Sequence, residues 1–103
     1  MLVLREVPWQ RVLLIHVDGS LRAPVTGDLP RRVRKSIDRG DTRIVLDLSR
    51  IAYLDAAGIG ELVHAYNTVA AANGSVWIVN ASRRVRQILD RVGLLELLSD
   101  APE

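Results

Sequence analysis

Apolar residues along this chain change rhythm several times, and each change marks an element. Leu2-Val3-Leu4 starts a first strand, which Pro8 interrupts. Val12-Leu13-Leu14-Ile15-His16-Val17 is a continuous apolar run of the kind found in a strand covered on both sides. Asp18-Gly19 predicts a turn. A helix follows, with Pro30 in its first turn, where a missing N–H costs nothing, and with Thr26 or Asp28 as its cap. Leu29, Val33 and Ile37 give that helix an inner stripe, and Gly40 ends it in the left-handed conformation that glycine adopts cheaply.

A third strand, Ile44-Val45-Leu46, runs into Asp47, and a short loop then carries Asp55 to the start of the strongest helical pattern in the chain. Ile59, Leu62, Val63, Tyr66, Val69 and Ala70 recur at the i, i+3, i+4, i+7 spacing that buries one helix face. The opposite face is expected to carry Glu61, His64, Ala65 and Thr68, and Gly74 stops the helix. Val76-Trp77-Ile78-Val79 forms a fourth strand. Ser82 then caps a helix with Val85, Ile88, Leu89 and Val92 inward, ended by Gly93. Leu94, Leu95, Leu97 and Leu98 suggest a closing helical turn. Strands alternating with helices need crossover connections, so the sheet is partly parallel, and only the opening pair reads as a hairpin. The expectation is one α/β domain over residues 1–103, with helices packed on a mixed sheet of about four to five strands.

Composition narrows the class. The chain has 103 residues, enough for one core and too few for two. Its hydrophobic share of 49% and charged share of 25% are those of a soluble globular domain. No apolar run approaches the roughly 18 residues of a membrane span, and the N-terminus lacks the pattern of a signal peptide. With no cysteine, disulfides, thiolate nucleophiles and sulfur metal sites are all excluded, and a cytoplasmic location is expected. The formal net charge is only +2. The basic runs Arg31, Arg32, Arg34, Lys35, Arg39 and Arg83, Arg84, Arg86, Arg91 lie on helical segments, where such residues usually form a solvated face. None of the four aromatic residues lies inside those runs, so stacking on nucleic-acid bases is a minor hypothesis.

Candidate chemistry is sparse. Asp47 and Asp55 could pair as carboxylates, but no His, Lys or further acid joins them in a motif. The simpler reading has Asp47 ending its strand in a turn and Asp55 capping the helix that opens near Ala57. Gly58 and Gly60 belong to no phosphate-loop or dinucleotide fingerprint, because no Lys-Ser/Thr or third glycine follows. His16 and His64 are too few for a metal site. Trp9 and Trp77 read as core or rim packing. No nucleophile–base pair is visible, so the expectation is a protein that is not an enzyme and has no cofactor.

The junction Asp55-Ala56-Ala57-Gly58-Ile59-Gly60 resembles the signature of the STAS domain family of bacterial anti-sigma factor antagonists. Gly19-Ser20-Leu21-Arg22 sits where the family commonly has Gly-Glu-Leu-Asp. Gly74-Ser75-Val76-Trp77-Ile78-Val79 is similar to its Gly-Gly-x-Leu-x-Leu-Val strand entry. Ser82 to Leu89, followed by Val92-Gly93-Leu94, is similar to its closing helix. Each piece is weak alone. Together, in order and at compatible spacing, they cover nearly the whole chain.

The resemblance implies a regulatory binding module. An unphosphorylated family member binds an anti-sigma factor with kinase activity, so the implied partner is an anti-sigma factor of the serine-kinase type or a related histidine-kinase-like ATPase domain. Phosphorylation of the Ser or Thr after the Asp breaks that complex by adding about −1.5 to −2 charge to a docking surface. Here that position is Ala56, which has no oxygen to phosphorylate, and Arg22 replaces an acidic residue near the partner site. Ser20 and Ser49 are the neighbouring hydroxyls, with Ser49 expected to bond backbone in the loop. The implied partner surface comprises Arg22, Asp55, Ala56, Ala57, Gly58, Ile59, Gly60, Glu61 and His64, acting without the usual phospho-switch. The alternative is an accessory STAS subunit of an ABC-type lipid transporter, docked on its ATPase subunit. Gene neighbourhood would separate the two.

Overall fold

The computed structural model describes residues 2–9 and 12–97. The elements in chain order are β1 (Leu2–Trp9), β2 (Val12–Leu21), α1 (Asp28–Asp38), β3 (Arg43–Leu54), α2 (Ala56–Ala71), β4 (Ser75–Val79), α3 (Arg83–Arg91) and α4 (Leu94–Leu97). They follow the order the hydrophobic pattern predicts, including the closing helical turn. Leu98 and the side chain of Trp9 lie outside what is described.

The four strands form one sheet in the order β1-β2-β3-β4. β1 and β2 pair antiparallel, as expected for a hairpin. β2–β3 and β3–β4 pair parallel. Parallel neighbours must be joined by crossovers, and α1 and α2 supply them. One core results. Leu13, Ile15 and Val17 from β2, Ile44, Leu46 and Leu48 from β3, and Val76 and Ile78 from β4 join Leu29, Val33, Leu62, Val69, Val85 and Leu89 from the helices.

β2 departs from the expectation of a strand covered on both sides. Its side chains alternate between buried Leu13, Ile15, Val17 and half-buried Val12, Leu14, His16. The helix side chains converge on the first set alone. On the second face, Val45 is buried between its register neighbours Leu14 and Trp77. The Arg43 guanidinium lies over the half-buried Trp77 ring, 5.7 Å from its centroid.

Several boundaries also differ from the sequence reading. β1 continues through Pro8, which a sheet edge tolerates because an edge residue can lack a donor. Asp18-Gly19 does not turn the chain. β2 runs on to Leu21, with register shifts between His16 and Asp18 and between Gly19 and Ser20, and Gly19 has φ 113°. Asp47 does not end β3, which extends to Leu54, so the expected loop from Asp47 to Asp55 is mostly strand. The α1 N-cap is Gly27, without a side-chain cap, rather than Thr26 or Asp28. Gly40 does close α1 at φ 93°. Val92 is 52% exposed instead of inward, since it already lies past the last turn of α3.

Candidate functional site

The end of β2 and the start of α2 are tied together around Asp55. Asp55 is extended and caps α2, its Oδ1 accepting the Gly58 N–H at 2.9 Å. Its Oδ2 accepts the Ala23 N–H at 3.0 Å, across 32 residues of sequence. The Asp55 N–H in turn donates to the Leu21 carbonyl at 3.3 Å. The backbone N–H groups of Ala23 and Gly58 hold the Asp55 carboxyl below its ordinary range, so it is an anion at neutral pH. Gly58 is buried against the same Leu21 carbonyl. A Cβ there would stand 1.7 Å from that oxygen, so only glycine fits.

Ala56 is the first residue of α2 and is exposed, with Ala57 and Ile59 half-buried and Gly60 and His64 exposed. Gly60 has nothing within 4 Å of where a side chain would begin. Arg22 lies beside this junction, its guanidinium 4.3 Å from the centroid of the exposed Tyr53 ring. Of the nine residues read from the sequence, the structure therefore gathers Arg22, Asp55, Ala56, Ala57, Ile59, Gly60 and His64 around one corner.

Two of the nine face inward. Gly58 is spent on the strand contact. Glu61, expected on the outer face, is buried and its Oε1 accepts the Gly27 N–H at 2.8 Å, holding the start of α1. Ala65 and Thr68 are buried too, and Ala70, expected inward, is exposed. The helix is rotated from the predicted face because α2 packs on α1 as well as on the sheet. The spacing of Gly58, Glu61, Leu62, Ala65 and Val69 is itself i, i+3, i+4, i+7 and i+11, so the buried face was visible. Glu61 concealed it, because a carboxylate reads as solvent-facing unless its backbone partner is known.

Asp47 belongs elsewhere. It is buried within β3, its Oδ2 2.9 Å from His16 Nδ1 and its Oδ1 accepting the Ser49 N–H at 2.9 Å. Burial works to raise its pKa, but the Ser49 backbone N–H and hydroxyl and the His16 imidazole outweigh it and hold the pKa low. More than about 20 Å of extended strand separates Asp47 from Asp55, so the two carboxylates cannot act as a pair. Ser49 is an exposed strand residue, not a loop residue. Among the described residues, no three His, Cys, Asp or Glu side chains are placed to hold a metal ion. No described helix is long and apolar enough to cross a membrane.

Known proteins share this fold. The anti-sigma F factor antagonist of Paenibacillus polymyxa is 23% identical over 88 residues, covering 84% of this chain and 75% of that protein. The anti-sigma factor antagonist SpoIIAA in its unphosphorylated form superposes with a TM-score of 0.77 at 22% identity, over 98% of this chain and 90% of its own. The phosphorylated form of SpoIIAA, from Bacillus, gives 0.71. An anti-sigma factor antagonist from Mycobacterium paratuberculosis gives a TM-score of 0.79 at 17% identity, over all of this chain and 87% of that one. With the mixed four-stranded sheet, the capped Asp55 junction and a family match spanning residues 8–102, this chain belongs to the STAS domain family.

Proposed function

We propose that this STAS domain is a non-enzymatic regulator that docks a protein partner at the Asp55–Gly60 junction and the exposed part of α2. The partner is an anti-sigma factor of the serine-kinase type or a related histidine-kinase-like ATPase domain, and docking is not switched by phosphate at residue 56. The observation that carries this reading is Ala56 itself. It stands exposed at the first position of a helix whose cap, Asp55, is locked to two backbone N–H groups. The helix start is tied down by these bonds and is low in bulk at Ala56, Ala57 and Gly60, so another backbone can approach it closely. Its methyl group offers no acceptor for a phosphoryl group.

Ala56→Asp tests the surface. A carboxylate at a helix start is compatible with the N-terminal dipole, so the fold should keep its melting temperature. In a complex the same group would be desolvated without a partner, at a cost of roughly 1–3 kcal/mol. Affinity for the anti-sigma partner, measured by calorimetry, should fall about tenfold or more. Unchanged affinity would place docking elsewhere, with the Arg31–Arg39 helix next to be examined.

A further inference from the structure

A second feature lies beside the proposed docking corner. The C-terminal part of β3, which extends beyond its pairing with β4, and the first turns of α3 enclose an open hollow of about 310 Å³. Arg22, just past the end of β2, and Arg84 of α3 both line it, and the Arg22 guanidinium lies over the ring of Tyr53 on β3. Neither guanidinium forms a close ion pair among the described residues, although the Arg22 charge acts on the neighbouring Asp55 carboxylate. The one carboxylate lining the hollow, Asp55, already accepts from the Ala23 and Gly58 N–H groups. Half-buried Leu54 and Ile88 supply an apolar wall.

We infer that this hollow receives an acidic side chain of the docked protein, flanked by an apolar residue. The inference rests on the docking reading above and gives its partner a chemistry. Two planar cations reaching one hollow suit a carboxylate, which can accept from both forks at once. Tyr53 favours one placement of the Arg22 guanidinium through a cation–π contact, which offsets part of the side-chain freedom lost on binding. The Leu54 and Ile88 wall favours a peptide over a free anion, because an inorganic ion has nothing apolar to place there. The hollow also adjoins Asp55, so an occupant is continuous with a protein seated on Ala56.

The test uses the intact chain and a defined probe. Nitrogen-15 NMR follows titration with acetyl-Leu-Glu-Leu-amide, with its Gln analogue and with inorganic phosphate. Shifts at Arg22, Tyr53, Leu54, Arg84 and Ile88 with the Glu peptide, absent with the Gln peptide and lost in an Arg22→Gln/Arg84→Gln double variant, support the inference. Equal shifts with both peptides, or none with either, overturn it. Phosphate binding more tightly than the Glu peptide at these residues reassigns the hollow to a free anion and overturns it too. Failure of the docking reading would appear only in the partner titration, and failure of the acidic-residue inference only in the peptide titration.

Discussion

Two glycines two positions apart in α2 should respond to alanine with opposite signs. At Gly58 the new Cβ would meet the Leu21 carbonyl oxygen at 1.7 Å and its carbon at 2.5 Å. Both atoms are backbone, at the point where β2 hands the chain to the Arg22–Gly27 loop, and the same carbonyl accepts the Asp55 N–H. The pair must separate by more than about 1 Å, which strains the helix start or pulls the strand end away, at about 1–3 kcal/mol and occasionally more. The gain from replacing glycine inside a helix, at most about 1 kcal/mol, offsets only part of that. A net loss on the order of 2 kcal/mol should lower the melting temperature of a domain this size by about 10 °C. At Gly60 the Cβ would meet nothing within 4 Å, and the backbone is already helical. Only the propensity term remains, so Gly60→Ala should raise the melting temperature by several degrees, up to about 8 °C. Thermal unfolding followed by circular dichroism, with urea titration at 25 °C as a second measure, reads both variants. A Gly58→Ala protein as stable as the parent would refute the close approach of α2 to the Leu21 carbonyl. A destabilised Gly60→Ala would refute the open surface assigned there.

Other expectations follow from the same geometry. Ala56→Ser should become a phosphate acceptor when incubated with the anti-sigma kinase and ATP, whereas the native chain should take up none at residue 56. Phosphopeptide mapping checks both, and label on Ser20 or Ser49 of the native chain would show that the switch has moved. Glu61→Ala strips the Gly27 N–H of its part-buried acceptor and should cost about 1–3 kcal/mol in urea unfolding, while Glu61→Gln, which keeps an acceptor oxygen, should recover most of it. Asp47 has a folded pKa below its unfolded one, so its stabilisation is complete above the ordinary carboxylate range of about 4 and is lost as pH falls through the lower folded value. Asp47→Asn should therefore be less stable than the parent at neutral pH, with the gap closing in acid. A gap that stayed constant with pH would show that the Asp47 charge contributes nothing.

The parts of the fold legible in the sequence were those set by short-range chemistry. Asp55 and Ser82 cap the helices they precede, and their acceptor oxygens act three residues on, well within local reach. Gly40 and Gly93 end helices because a positive φ is a local demand. What escaped was long-range. Nothing near Glu61 in sequence announces Gly27, 34 residues away, and nothing near Gly58 announces the end of β2. Gly74 follows the end of α2 as expected, but the local turn is not its own. Asn73 takes the left-handed turn at φ 58°, and Gly74 is needed because a Cβ would lie 2.3 Å from the Thr42 carbonyl. Asp47 was misplaced because an Asp after an apolar run usually ends a strand. Here His16 on the neighbouring strand and the Ser49 N–H let the strand carry it inward.

Among the described residues, β1 leaves one long backbone edge of the sheet without a neighbouring strand. Its outward side chains include Val3 and Val7, 44% and 39% exposed, which would suit pairing with another copy. Arg5 lies between them on the same face, and Pro8 follows without an N–H to donate. A second strand laid along this edge would set its side chains beside a charged guanidinium and meet a gap in the ladder. The same strand that completes the hairpin thus guards the sheet against growing from molecule to molecule, the hazard every open sheet carries.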